Sequence, residues 1–189
     1  MGRSVILVGP RCSGKTLTGK ELARISGVPF VDADEVFVEL YHKSLSDFVA
    51  EYGWGRFRDG ETKTIEKICS RDQGTRIVLT PGGGAVAHDQ GEEYRQRNVE
   101  LLRAFGTIIY LLPTPDLEES ARILHARMQA DQQTAGQRPP LTEEKDPFRE
   151  MLDKVKQRHH YYLKAADEVL YTEGKTVQEV ARDIAELVR

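Results

Sequence analysis

The sequence predicts an α/β fold, in which a five-stranded parallel sheet is flanked by helices. Five short apolar runs alternate with segments in which apolar residues recur at helical spacing. A glycine-rich turn joins the first run to the first helical segment, and carboxylates or glycines follow the second and third runs. In parallel α/β sheets, ligands collect at these strand ends. The predicted strands span residues 5–8, 28–31, 76–80, 107–112 and 169–171.

The turn after the first strand, residues 9–16, reads Gly-Pro-Arg-Cys-Ser-Gly-Lys-Thr and fits the phosphate-loop pattern G-x-x-x-x-G-K-[ST]. Backbone N–H groups of such a loop, and the N-terminus of the helix predicted over 16–25, bind phosphate oxygens. Lys15 is expected to bind the β- and γ-phosphates, and the Thr16 hydroxyl to ligate Mg²⁺. The flanking strand and helix favour a nucleoside triphosphate site over a chance glycine-rich turn.

The second strand ends in Asp32-Ala33-Asp34. Two carboxylates one residue apart can divide their roles, one facing a metal ion and the other facing a substrate. Alternatively, Asp34 is the N-cap of the helix predicted over 35–41. The local pattern leaves both interpretations open.

Helices are then predicted over 44–52 and 54–69. On the second of these, Phe57 and Glu61 share an apolar face, and Arg58 lies at its margin. The i, i+3 spacing allows Glu61 to hold the Arg58 guanidinium in place for a ligand. A surface ion pair that contributes little energy is the alternative, and the local pattern does not decide between them.

The third strand is followed by Gly82, Gly83 and Gly84. Three glycines at the end of a strand allow the backbone to approach a ligand closely. A flexible turn is the alternative, but the position at the strand end favours a binding site. Two further helices are predicted over 92–105 and 114–126.

Apolar periodicity fails between residues 127 and 148, and the polar stretch 128–147 is expected to be a functional lid or a disordered insertion. A helix predicted over 148–164 carries Arg158 within an apolar stripe that includes Val155 and Tyr162. A buried guanidinium requires an anionic partner, either a protein carboxylate or a bound acid. The last helix has an apolar face between residues 177 and 187.

Length and composition indicate a single globular domain of 189 residues. The formal charge of −3 gives no reason to expect nucleic-acid binding. No apolar run approaches the roughly 20 residues of a membrane span, and the first strand leaves no room for a signal peptide, so we expect a cytoplasmic protein. Cys12 and Cys69 lack metal-ligand spacing, which predicts reduced thiols and no zinc site.

Taken together, these motifs resemble the shikimate kinase family over nearly the whole chain. The matching stretches are GPRCSGKT, VDAD, FRDGE, GGG, RPPL and QRHHYYLKAAD. The Gly-Pro-Arg opening and the long lid are most similar to the second bacterial type. The resemblance implies one domain over 1–189 with a P-loop NTPase fold of the nucleoside monophosphate kinase kind. It also implies a substrate-binding region near 34–60 and a lid near 128–147.

The resemblance further implies that the γ-phosphoryl group of ATP is transferred to the 3-hydroxyl of shikimate, with Mg²⁺, on the route to chorismate and the aromatic amino acids. A monomer is expected. The implied catalytic residues are Lys15, Asp34 and Arg138, and the implied metal ligands are Thr16 and Asp32. The implied nucleotide-binding residues are Gly9, Arg11, Cys12, Ser13, Gly14, Lys15, Thr16, Thr18, Arg127 and Arg138. The implied shikimate-binding residues are Asp34, Phe57, Arg58, Gly82, Gly83, Gly84 and Arg158.

Two other functions agree less well with the sequence. A gluconate or nucleoside monophosphate kinase does not explain the Asp-Ala-Asp motif together with Arg58, the glycine run and Arg158, whereas a ring carboxylate substrate explains all four. A non-catalytic phosphate-loop module is disfavoured because Lys15 and the other implied catalytic residues are intact. Cys12 stands where many members of the family have glycine.

Overall fold

The computed structural model describes residues 3–71, 75–88, 91–130 and 146–188, and a five-stranded parallel sheet forms its centre. The strands are β1 (Ser4–Val8), β2 (Phe30–Asp32), β3 (Val78–Thr80), β4 (Gly106–Leu112) and β5 (Glu168–Tyr171). Their order in the sheet is β2-β3-β1-β4-β5. The predicted fold class is therefore confirmed, and each predicted strand is present with its bounds shifted by one or two residues.

Strand β1 lies in the middle of the sheet, where Val5 is in register with Val78 of β3 on one side and Thr107 of β4 on the other. Its side chains alternate between two apolar clusters: Ile6 and Val8 face one, and Val5 and Leu7 the other. Both faces of the sheet are therefore covered, which is why this strand is a continuous apolar run.

Seven helices surround the sheet in the part of the chain that the structure describes. They are α1 (Lys15–Ser26), α2 (Ala33–Tyr41), α3 (Leu45–Arg71), α4 (Glu92–Phe105), α5 (Leu117–Ala130), α6 (Pro147–Ala165) and α7 (Val177–Leu187). Leu22 of α1 and Val180 and Ile184 of α7 share one cluster, whereas Tyr162 of α6 lies in the cluster on the other face.

Helix α3 contains the break that the sequence predicts at Gly53. This residue has φ 77° and ψ 167°, which is not helical, so α3 consists of two helical segments joined by a kink. A positive φ costs glycine little, and this explains its place at the kink. The first segment carries Phe48, and the second carries Phe57 and Arg58. The three phenylalanines Phe37, Phe48 and Phe57 form a separate buried cluster.

The bounds of α5 and α6 correct the predicted edges of the lid. Helix α5 begins at Leu117 rather than at residue 114, because Asp116 Oδ1 accepts hydrogen bonds from the N–H groups of the first turn. It continues to Ala130, so residues 128–130 are helical, and Met128 packs against the apolar cluster formed by α5 and α6. Helix α6 begins at Pro147, with Asp146 as its N-cap. Residues 131–145 of the predicted lid, including Arg138, lie outside the described residues.

Among the residues described, no helix is both long enough and apolar enough to cross a membrane.

Candidate active site

Residues 9–16 form a tight loop between β1 and α1. Gly9 has φ 148°, and a Cβ there would lie 2.5 Å from the Leu111 carbonyl oxygen of β4, so the position accepts only glycine. Gly14 precedes the first turn of α1 with φ 91°. Cys12 also has a positive φ, 62°, which is uncommon for a residue with a side chain. Glycine would adopt this backbone conformation at lower cost.

Lys15 is buried at the start of α1, where its Nζ donates to the carbonyl oxygens of Gly9 (2.9 Å) and Pro10 (2.7 Å). The ammonium group is therefore held against the loop that the motif assigns to phosphate. Ser13 and Thr18 are buried beside it. Arg127 at the end of α5 donates from Nη1 to the Cys12 carbonyl oxygen at 3.4 Å, which brings this arginine to the same loop.

Asp32, the last residue of β2, lies next to Thr16 of α1. Thr16 Oγ1 is 3.4 Å from Asp32 Oδ2, and the other carboxylate oxygen of Asp32 accepts the Asp34 N–H at 3.0 Å. Asp32 is thus the N-cap of α2. The alternative that Asp34 caps this helix is wrong, because the cap is two residues earlier.

Asp34 lies against the glycine run. A Cβ on Gly82 would be 2.8 Å from Asp34 Oδ1, and Gly82 has φ 52°, so a side chain there would displace the carboxylate. A Cβ on Gly84 would be 2.8 Å from Arg58 Nη1. The run therefore passes between the predicted catalytic carboxylate and the predicted carboxylate-binding arginine, and neither contact leaves room for a larger residue.

Arg58 and Glu61 form a buried ion pair, with Nη1 and Oε2 2.8 Å apart and side-chain exposures of 7% and 9%. The surface ion pair considered from the sequence is therefore wrong. Burial raises the pKa of Glu61, and the Arg58 charge partly opposes that shift. The Arg58 guanidinium carbon lies 5.2 Å from the ring centres of Trp54 and Phe57. Glu61 and two aromatic rings thus fix the orientation of the guanidinium.

Arg158 lies on α6 and borders the same cleft as Arg58. It is half-buried, and its Nε is enclosed with no hydrogen-bond partner among the described residues. The apolar stripe predicted around it is present, since Met151, Val155 and Tyr162 are all buried. Two guanidinium groups on different helices therefore line one cleft.

The cleft that Arg58 and Arg158 line has a volume of about 130 Å³. A second cleft runs along the phosphate loop, and Asp34, Gly82 and Gly83 border both. The two clefts meet at the predicted catalytic carboxylate. The predicted residues in the first cleft are Arg11, Asp34, Phe57, Arg58, Gly82, Gly83, Gly84 and Arg158. The predicted residues in the second are Arg11, Cys12, Ser13, Gly14, Lys15, Thr16, Thr18, Asp32, Asp34, Gly82, Gly83 and Arg127.

Sequence reasoning missed several residues that border these clefts. The first cleft has apolar walls that it did not assign, formed by Leu45, Val49, Trp54, Met128, Met151 and Val155. In the second cleft it missed Thr80, Thr172 and Lys175. Thr80 could have been predicted as a site residue, because it is the last residue of β3 and immediately precedes the Pro-Gly-Gly-Gly turn. Its Oγ1 is buried without a hydrogen-bond partner in the described part of the chain, and its Cα is in register with Asp32.

The family model for shikimate kinase matches residues 11–189. The chain belongs to the shikimate kinase family. It is 33% identical over 170 residues to a shikimate kinase 2 of Yersinia enterocolitica, an alignment that covers 90% of this chain and 87% of that protein. It is also 33% identical over 193 residues to a shikimate kinase of Prochlorococcus marinus, covering 100% and 90%.

Solved structures agree with this shikimate kinase assignment. The shikimate kinase of Acinetobacter baumannii in complex with shikimate has a TM-score of 0.81 and 26% identity, covering 100% of this chain and 93% of that one. A gluconokinase of Sinorhizobium meliloti has a TM-score of 0.54 and 15% identity, covering 99% and 94%, and therefore shares only the fold. The chain is thus an ATP-dependent kinase, as the phosphate loop predicts.

Proposed function

We propose that this protein transfers the γ-phosphoryl group of ATP to the 3-hydroxyl of shikimate, giving ADP and shikimate 3-phosphate. The observation that carries the proposal is the meeting of two clefts at Asp34. One cleft follows the phosphate loop and the other contains two arginines. Nucleotide and acid would therefore meet at a carboxylate, as phosphoryl transfer to an alcohol requires.

Arg58 and Arg158 bind the shikimate carboxylate in this proposal. The guanidinium fork matches a carboxylate with two parallel N–H···O bonds, which lysine cannot provide. Arg58 is already oriented by Glu61, so little conformational freedom is lost when the substrate binds. Gly84 leaves the space that the Arg58 guanidinium occupies. Phe57 and Trp54 exclude water from one side of the same cleft.

Asp34 orients the 3-hydroxyl and accepts its proton as the phosphoryl group is transferred. The Asp32 carboxylate accepts a hydrogen bond from the Asp34 N–H, which fixes the backbone at the start of α2. Gly82 lies directly against Asp34 Oδ1, so the carboxylate is confined on that side. A general base that is fixed in this way requires no reorganisation when the hydroxyl arrives.

The phosphates of ATP bind the backbone N–H groups of residues 11–16, and the Lys15 ammonium exchanges its loop carbonyl partners for phosphate oxygens. In-line phosphoryl transfer requires positioning and charge stabilisation rather than covalent participation of the protein. From the family resemblance we add Arg138, whose charge would stabilise the transferring phosphoryl group, and Arg127, which would lie near adenine.

Mg²⁺ fits the donor set beside the phosphate loop. The Thr16 hydroxyl and the Asp32 carboxylate are neighbouring oxygen donors, the ligand type that this ion prefers. We propose these two residues as its protein ligands, with the buried Thr80 hydroxyl close to them. When bound, the ion would neutralise phosphate charge. We also propose that the enzyme works as a monomer in the cytoplasm.

An assay of ADP release with shikimate, quinate and gluconate in parallel tests the proposed function. We expect turnover that depends on shikimate and Mg²⁺, with much weaker turnover of the two other acids. Lys15→Met is the control for a contaminating kinase, because it removes the phosphate-loop charge. A wild-type protein that consumes ATP with gluconate but not with shikimate would refute the proposal.

A further inference from the structure

Tyr162 is a buried phenol on α6 that none of the predicted roles uses. It is 1% exposed and lies one helical turn after Arg158. Its ring stacks on Tyr110 of β4, with ring centres 4.8 Å apart and an interplanar angle of 26°. Tyr110 is itself fully buried, and its hydroxyl hydrogen-bonds to His159 Nδ1 at 3.1 Å. The position of the Tyr162 ring is therefore fixed by the central sheet.

The hydroxyl of Tyr162 donates a hydrogen bond to the carbonyl oxygen of Gly83. Gly83 is the middle residue of the glycine run, between Gly82 at Asp34 and Gly84 at Arg58. Burial raises the pKa of Tyr162, so the phenol keeps its proton and remains a donor at any working pH. A backbone without side chains has few other contacts that could fix its path, and this bond links it to a rigid helix.

We propose that Tyr162 is a positioning residue for the acid substrate, because its hydroxyl holds the glycine run at the distance from Asp34 and Arg58 that the substrate requires. Tyr162 acts through the Gly83 carbonyl and does not touch the substrate. Since Arg158 lies on the same helix face, the phenol also keeps the spacing between Arg158 and the run. The inference rests on the proposed function, which supplies the substrate.

Tyr162→Phe tests this inference, because it keeps the stacked ring and removes the hydroxyl that donates to Gly83 and hydrogen-bonds with Arg158. We expect the KM for shikimate to rise roughly three- to tenfold, the effect of one neutral hydrogen bond, while the KM for ATP stays unchanged. A merely structural role would lower the melting temperature and the active fraction, and neither changes a KM. Tyr161→Phe is the matched control. The centre of the Tyr161 ring lies 4.0 Å from the Arg95 guanidinium carbon. Removal of the Tyr161 hydroxyl should change neither the KM for shikimate nor the KM for ATP.

An unchanged KM for shikimate in folded Tyr162→Phe, or an equal rise in both KM values, would overturn the inference. Should that variant fail to fold, 3-fluorotyrosine at position 162 keeps the phenol and adds a ¹⁹F probe. We expect its resonance to move with saturating shikimate and to stay in place with ADP. A ¹⁹F chemical shift that does not change on addition of shikimate, in a protein that still turns shikimate over, would also overturn the inference. Absence of wild-type turnover with shikimate would instead refute the proposed function.

Discussion

Replacing both members of the buried Arg58–Glu61 pair with methionine separates substrate binding from support of the fold. A single Arg58→Ala change would leave the Glu61 carboxylate buried without its partner, which typically costs about 3–5 kcal/mol. That is a large part of a total stability of roughly 5–15 kcal/mol. Loss of activity in the single variant could therefore come from unfolding alone.

The double variant Arg58→Met with Glu61→Met removes both charges and keeps similar side-chain volume. Such replacements of a buried ion pair are often neutral or stabilising, so the melting temperature should stay close to that of the wild type. The substrate carboxylate, however, loses a charge-assisted hydrogen bond of about 1.5–3 kcal/mol. The KM for shikimate should consequently rise by about tenfold or more, with the KM for ATP unchanged.

The assay is ADP release with each substrate varied in turn, together with thermal unfolding. The matched control is Asp59→Asn with Lys63→Gln, an exposed ion pair of 2.8 Å on the same helix. This control should leave both KM values and the melting temperature unchanged. A folded double variant that keeps the wild-type KM for shikimate would show that Arg58 does not bind the substrate.

Three further changes address the catalytic carboxylate, the predicted transition-state arginine and the buried glutamate. Asp34→Asn should lower kcat by about 100-fold without lowering the melting temperature, since Asp32 caps α2; a near-normal kcat would remove Asp34 from the chemistry. Arg138→Ala should lower kcat by roughly 10³-fold with little change in the KM for shikimate, and a retained kcat would contradict its role. Burial raises the pKa of Glu61 above 4.5, so its stabilising contribution is complete below that pH and is lost as pH rises through the folded pKa. The glutamine in Glu61→Gln does not titrate, so the variant should not lose this contribution as the pH rises. In urea unfolding, its free energy of unfolding should therefore increase relative to that of the wild type from about pH 5 to pH 8. A relative decrease over the same range would contradict the direction of the pKa shift.

The sheet and the phosphate loop could be predicted because their signals are local. Strand β1 is an apolar run buried on both faces, and the glycine spacing of residues 9–16 follows from the backbone angles at Gly9 and Gly14. The sequence signal for the kink in α3 is equally local, since Gly53 lies between two amphipathic segments. In each case a few consecutive residues determine the structure.

The features that the sequence left open depend on contacts between distant segments. Asp32 and Asp34 are equally good caps by residue type, and only the geometry of the strand end makes Asp32 the cap. The burial of Arg58 depends on the glycine run, which a helical pattern cannot show. Leu45 and Met151 occur at the helical spacing that is typical of core residues, so the sequence does not predict that they line a cleft. The role of the Tyr162 hydroxyl could not be predicted for the same reason, because Tyr162 falls in an apolar stripe of its helix.

The central place of β1 in the sheet also affects how the enzyme is made. Its two neighbours, β3 and β4, follow much later in the chain, and contacts of such sequence separation form slowly. A nascent chain that ends before β4 already contains the whole phosphate-loop motif, yet Gly9 lacks the Leu111 backbone against which it packs. One edge of β1 is then unpaired, and an unpaired apolar edge promotes aggregation. Nucleotide affinity should therefore arise late in synthesis, and ATP can stabilise the chain only after both edges of β1 have been paired.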